Sequence, residues 1–203
     1  MVGSLLLQIK STSVEEWIAV FTAILYLFLA AKENPWCWAA AIVSVSLFFF
    51  LLLEGGLVFE AWLQVYYFAM AIYGWYSWTR KKKGDSALST LKISTLSLKS
   101  HLLIIGIGGV LVLGTGFLAE HFQWGVLPYA DAFTTWFSVI TTWMVTRKIL
   151  ENWLYWVVID LVSIYLYFDR GFLVSSGLFV FYVVLAGIGF VQWQKEYQKS
   201  NLA

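Results

Sequence analysis

The sequence predicts an all-α polytopic membrane protein. Seven transmembrane helices form two parallel triple-helix repeats joined by a linker helix. Three observations predict this. First, 61% of the 203 residues are hydrophobic and only 12% are charged, about half the charge of an ordinary soluble domain. The mean hydropathy of +0.77 agrees. Second, the apolar residues fall into seven continuous stretches, each close to the roughly 20 residues that span a bilayer as a helix. Long unbroken runs differ from the alternating short strands of a membrane β-barrel. Third, landmarks in the first three stretches recur in the last three.

The segments follow in order. Residues 1–13 form a short lead, read as an interfacial helix. Lys10 is the only cation before the first apolar run and no small-residue cleavage site follows it, so no removable signal peptide is read. Residues 14–31, 36–53 and 57–78 are the first three spans, and residues 14–78 make repeat 1. Residues 79–100 are the one long polar stretch, opening on Arg80, Lys81, Lys82 and Lys83. With the glycine-rich span 101–119 they make the basic loop and linker helix, residues 79–119. Residues 128–146, 152–168 and 172–193 are the last three spans, and residues 128–193 make repeat 2.

Seven spans put the two termini on opposite sides. The C-terminal side then holds Lys32, Arg80, Lys81, Lys82, Lys83, Lys92, Lys99, Arg147, Lys148, Lys195 and Lys199, against Lys10 and Arg170 on the other. Positive residues stay cytoplasmic, so the N-terminus is expected outside and the C-terminus inside.

The repeat is read from four matches. Glu33-Asn34-x-x-x-Trp38 and Glu151-Asn152-x-x-x-Trp156 lie 118 residues apart. Glu54-Gly55-Gly56 matches Asp169-Arg170-Gly171, Tyr67 matches Tyr182, and Gly74-x-x-x-Trp78 matches Gly189-x-x-x-Trp193, all 115 apart. The change of offset implies that three residues are missing between the first two helices of the second copy. A linker span lets an odd-numbered unit return to its starting side, so the repeats run parallel. Such repeats with a site between them at mid-membrane are a transporter design.

Candidate binding residues are the polar and aromatic groups at depth. Asn152, Trp156 and Asp160, at i, i+4 and i+8, share one helix face. They offer an amide, a flat aromatic wall and a carboxylate. Amides and carboxylates are costly in lipid unless they meet a partner, a cavity or a ligand. Trp38 is read as the repeat-1 counterpart of Trp156, and an indole can stack a flat cationic ligand. Gln64 lies near mid-membrane, where its amide needs several hydrogen bonds. Tyr67 and Tyr182 either offer hydroxyls to the cavity or close a helix contact. Asp131, Thr135, Ser138 and Thr142 form a stripe along one face, which suits either helix packing or a cavity wall. Trp17, Trp36, Trp78, Trp124 and Trp193 lie near the predicted interfaces, where indoles collect.

Other classes are disfavoured. A single cysteine, Cys37, and two distant histidines argue against a disulfide or metal site. No phosphate-binding loop, zinc-protease or nucleophile-elbow motif occurs. Segment seven lacks the mid-helix lysine a retinal protein needs, and no Ser-Lys or paired-Asp arrangement marks an intramembrane enzyme. The net charge of +1 suggests no nucleic-acid partner. A vitamin-binding subunit of a larger importer stays open.

The stretch Pro128-Tyr-Ala-Asp131, then Thr146-Arg147-Lys148-x-x-Glu151-Asn152-Trp153-x-x-Trp156, resembles the PnuC nicotinamide riboside transporters. So does Gln64-Val-Tyr-Tyr67-Phe with Tyr73-Gly74-Trp75-Tyr76-x-Trp78. The resemblance implies a three-one-three fold similar to the SWEET sugar transporters, assembled as a trimer in the bacterial inner membrane. It implies uptake of nicotinamide riboside by facilitated diffusion without a cofactor, and trapping by a cytoplasmic riboside kinase. Members of the family also carry thiamine or riboflavin. Some carry an amide where Asp160 stands. The riboside has a cationic aromatic ring for Trp156, a carboxamide and hydroxyls for Gln64 and Asn152, and a charge for Asp160 to offset.

Overall fold

A computed structural model describes residues 13–56, 58–80, 91–124 and 126–202. The lead at 1–12 and the basic run at 81–83 lie outside the described residues. Seven helices follow in order: α1 (Val14–Ala31), α2 (Cys37–Glu54), α3 (Val58–Thr79), α4 (Leu98–His121), α5 (Pro128–Thr146), α6 (Asn152–Asp169) and α7 (Leu173–Leu202).

Local chemistry sets several of the ends. Ser13 accepts a hydrogen bond from the Glu16 amide at the head of α1, and Ser97 accepts one from Ser100 at the head of α4, each satisfying a free helix-start amide. Pro128 opens α5, where its missing N–H costs nothing. Gly56 and Gly171 take positive φ, 73° and 77°, after α2 and α6. Sequence patterning stops the last helix near residue 193, yet α7 runs on to Leu202. Its final turns are polar helix formers with no proline or glycine to end them, so the helix leaves the apolar layer without breaking.

By length and composition, α1, α2, α4 and α7 are apolar enough to cross a membrane. The other three helices, α3, α5 and α6, have 22, 19 and 18 residues and carry Gln64, Asp131, Asn152 and Asp160. Their polar groups are what lowers their hydropathy, and those groups need an inner surface.

The packing provides one. Helix α2 packs on α1 and α3, and α6 on α5 and α7. The two triplets join through α1 with α7 and α3 with α5, and α4 packs its backbone against α5, with His101 of α4 reaching the Tyr155 hydroxyl of α6. Six helices thus close a ring, α1-α2-α3-α5-α6-α7, with the linker helix outside it. Among the described residues the backbones of α2 and α6 do not approach each other across the ring.

The register of the repeat corrects the expected three-residue gap. Helix α2 maps on α6 at an offset of 115 at both ends, as do the glycines at 56 and 171. Each repeat also has one non-glycine residue in the left-handed region between its first two helices: Glu33, at φ 54°, and Lys148, at φ 51°, again 115 apart. The E-N-x-x-x-W match at 118 is a coincidence of letters. The true counterpart of Trp38 is Trp153, because each indole fills the same place. Trp38 lies on Gly74 and Trp153 on Gly189, where a Cβ would run into the ring. Trp38 meets Trp78 edge-on at 5.3 Å, and Trp153 meets Trp193 edge-on at 5.5 Å.

Residues 91–97 end the polar stretch in extended backbone. Ser94 pairs with the α5–α6 loop: its amide donates to the Lys148 carbonyl (3.0 Å), and its carbonyl accepts from the Leu150 amide (2.8 Å). Glu151 accepts from the Leu96 amide, and Ile93 is buried. This strap belongs to the linker yet is fastened to repeat 2.

A candidate site inside the helix ring

The structure sorts the expected residues into two groups. Trp38 and Asn152 belong to the packed end of the ring, with the buried indoles Trp78, Trp153 and Trp193. Trp38 is 1% exposed and walled in by Tyr26, Gly74 and Trp78, so no ligand can lie on its face. Asn152 is fully buried in the first turn of α6, where its amide nitrogen donates to the Ile149 carbonyl at 2.6 Å. It closes the α5–α6 loop rather than facing an open space. Asp131 is held in an ion pair with Arg170 at the far end of α6, at 2.5 Å. Thr135 is exposed on α5.

The second group has unused chemistry. Asp160 is 4% exposed and no hydrogen bond reaches its carboxylate among the described residues. A buried charge without a partner is expensive, so this position calls for a ligand or a proton. The Tyr182 phenol of α7 is near enough to Asp160 to feel its charge. One turn before Asp160, Trp156 is half-buried at the edge of the core, and among the described residues no other ring stacks on it. Asn152 starts the same face, as the spacing predicts, but only Trp156 and Asp160 keep it free.

Helix α3, on the other side of α5 from α6, carries the remaining candidates. Gln64 is half-buried with its amide unengaged among the described residues. The Tyr67 hydroxyl meets Ser138 of α5, and the neighbouring Tyr66 hydroxyl donates to the Val139 carbonyl at 2.8 Å. In the α5 stripe, Ser138 and Thr142 are therefore the packing positions. Thr142 donates to the Ser138 carbonyl at 2.8 Å, and both are buried.

Two features escape a reading of the sequence. Tyr26 of α1 comes close to Tyr67 and to Cys37. Its repeat-2 counterpart is Thr141, so no motif marks it. The second is the ion pair between Lys148 and Glu33, at 2.8 Å. Their common position in the two repeats, at an offset of 115, was the one available signal. A separate furrow of about 440 Å³ runs between α4, α5 and α6, lined by Phe133, Phe137, Leu154 and Tyr155 with His101 and Glu151 at its edge. None of the expected site residues lines it. Among the described residues no group of three or more His, Cys, Asp or Glu side chains could hold a metal ion.

The comparisons agree with this architecture. The model of the nicotinamide mononucleotide transporter family matches residues 13–195. The nicotinamide riboside transporter PnuC of Escherichia coli is 26% identical over 202 residues, covering 88% of this chain and 84% of that protein. The riboflavin/roseoflavin transporter RibM of Streptomyces davaonensis is 27% identical over 170 residues, covering 82% and 78%. A crystal structure of the vitamin B3 transporter PnuC superposes with a TM-score of 0.74 at 20% identity, over 98% of this chain and 88% of the other. That likeness carries the seven-helix fold. With nearly the whole chain matched, this protein belongs to the nicotinamide mononucleotide transporter family, whose members move a solute across a membrane and are not enzymes.

Proposed function

We propose that the chain takes up nicotinamide riboside, bound inside the helix ring between the two repeats. The observation that carries this reading is Asp160, a buried carboxylate without a hydrogen bond, one turn from the half-buried indole of Trp156. An aromatic cation satisfies both at once, by stacking on the indole and by offsetting the carboxylate. Gln64, Tyr67 and Tyr182 supply donors and acceptors for a carboxamide and ribose hydroxyls. Every described Lys and Arg lies in a loop, in a helix's first turn or in the polar last turns of α7, so no cation is placed at mid-depth for a phosphate. That supports the riboside over the mononucleotide of the family's name.

Transport is by facilitated diffusion, with the product trapped by a cytoplasmic riboside kinase. The absence of a nucleotide motif in the sequence supports this. The protein sits in the bacterial inner membrane, N-terminus outside and C-terminus inside, as the distribution of Lys and Arg supports. The resemblance to the riboside transporters supports a homotrimer. A second reading, a carrier of riboflavin or thiamine, is favoured by the similarity to RibM. Titration of the purified protein with nicotinamide riboside, its mononucleotide, riboflavin and thiamine separates them. Tightest binding of the riboside is expected, and tightest binding of riboflavin, an uncharged ring at neutral pH, would remove the role given to Asp160.

A further inference from the structure

Contacts between the two repeats concentrate at one end of the ring. Trp78 of α3 donates its indole N–H to the Val145 carbonyl of α5, at 3.3 Å, and Trp193 of α7 donates to the Ala30 carbonyl of α1, at 3.0 Å. The two bonds are counterparts under the 115-residue offset. The Trp78 and Trp193 rings meet at 5.9 Å. Lys148 of repeat 2 pairs with Glu33 of repeat 1 at 2.8 Å, and its ammonium lies 4.7 Å over the Trp78 ring. Lys148 is 4% exposed, while Glu33 is a quarter exposed. At the other end, the Arg170–Asp131 pair stays within repeat 2.

We propose that Glu33 and Lys148 are the latch of a gate at this end, and that the latch parts for solute to leave the ring. The proposal rests on the transport reading above. Three features make the closed end a balanced state rather than a permanent seal. Both latch residues hold the left-handed backbone conformation, which costs energy for any residue with a Cβ. The Nε1 atoms of Trp38 and Trp153 and the Oδ1 atom of Asn152 are buried here without partners among the described residues, and each such atom raises the energy of the closed form. The attraction of a buried ion pair opposes both, and it vanishes steeply once water enters.

The two jaws are held differently. The Lys148 loop is fastened to the Ser94 strap at the Lys148 carbonyl and the Leu150 amide, on either side of Ile149. Apart from the latch, the hydrogen bonds of the Glu33 loop among the described residues are local, Asn34 accepting from the Trp36 amide and the Glu33 and Asn34 amides donating to Ala30 and Leu29, and the ring contact of Trp36 with Trp75 stays within repeat 1. Lys148 is therefore the fixed jaw and Glu33 the moving one. Cys37 sits on the moving jaw, in the first turn of α2, with no exposed surface. It is the only cysteine in the chain and reports opening without an introduced label site.

The test follows the rate of Cys37 alkylation by N-ethylmaleimide in the full-length protein in detergent, without solute. Glu33→Gln should speed alkylation by roughly tenfold or more, because the rate follows the open fraction. Combining Glu33→Lys with Lys148→Glu should return it towards the wild-type rate. Thermal unfolding of each variant shows that the fold persists. A folded Glu33→Gln variant alkylated as slowly as wild type overturns the latch, and so does a folded double variant alkylated as fast as the single one. If the single variant does not fold, slow alkylation of a folded double variant supports the pairing, and failure of both to fold makes the pair a fold determinant and overturns the gate. Since no solute is added, these outcomes are independent of which solute is carried.

Discussion

Of the three tryptophans Trp38, Trp153 and Trp156, two are structural wedges and one is a free wall, and their neighbours decide which. Trp38 and Trp153 are wedges, each pressed on a glycine and another indole. Trp156 is the exception, and its repeat-1 counterpart at an offset of 115 is Ala41. Asp160 faces Val45 in the same register, and Gln64 faces Phe179. A symmetric cavity could not orient an asymmetric solute, so selectivity is expected at Trp156, Asp160 and Gln64. Trp156→Ala should weaken riboside binding by about 1–3 kcal/mol, as for a base leaving an aromatic platform, with a smaller loss for Trp156→Phe. A folded alanine variant that titrates like wild type would return Trp156 to packing. Gln64→Leu should cut affinity about tenfold, the consequence of stranding a buried partner, with assembly intact because leucine suits an apolar span. Asp160→Asn should cost the cationic riboside more than its uncharged reduced form. Equal losses for the two in calorimetry would show that the carboxylate does not read the ring's charge.

At the scale of the element, the repeat works through helix faces rather than through conserved strings of letters. Helices α3 and α7 each approach their partner at a glycine, Gly74 and Gly189, which makes room for the indole of α2 or α6. Gly74→Ala and Gly189→Ala should each destabilise the protein by about 1–3 kcal/mol, since overpacking forces a ring or a backbone to shift. Matching drops in the midpoint of thermal unfolding are expected from the two variants. A neutral result for one alone would show that the two triplets are less alike than their geometry. Helix α4 joins no such pair. It lies on α5, where Phe137 packs on Gly108 and Tyr129 on Gly116, and its strap reaches back to the α5–α6 loop. Among the described residues the strap's backbone hydrogen bonds go to the α5–α6 loop of repeat 2.

For the whole molecule, the ring has one latched end and two triplets that touch through α1 with α7 and α3 with α5. With the latched end cytoplasmic, the orientation proposed above from the distribution of positive charge, a cysteine at Ser86 in a chain whose Cys37 is replaced by alanine should react with an impermeant reagent only after the membrane is opened. Reaction in intact cells would invert the molecule and place the latch outside. Proteoliposomes given nicotinamide riboside on one side should equilibrate it across the membrane. Accumulation driven by a proton or sodium gradient would overturn facilitated diffusion.

The sequence alone determined the class, the seven spans and the existence of two copies, because those follow from hydropathy and from landmarks a fixed distance apart. It singled out Asp160, Trp156 and Gln64 as candidates, since a polar group at depth is costly wherever it lies, and among the described residues their side chains have no hydrogen-bond or stacking partner. The register between the copies and the division of the indoles into wedges and walls needed the tertiary structure. A three-letter match cannot tell which tryptophan meets a glycine on a helix far along the chain. Nor could the sequence show that Asn152 is consumed by its own loop, that Asp131 is taken by Arg170, or that Glu33 closes on Lys148. Each of these depends on where distant backbones come to lie, and that is set by packing of the whole ring rather than by local pattern.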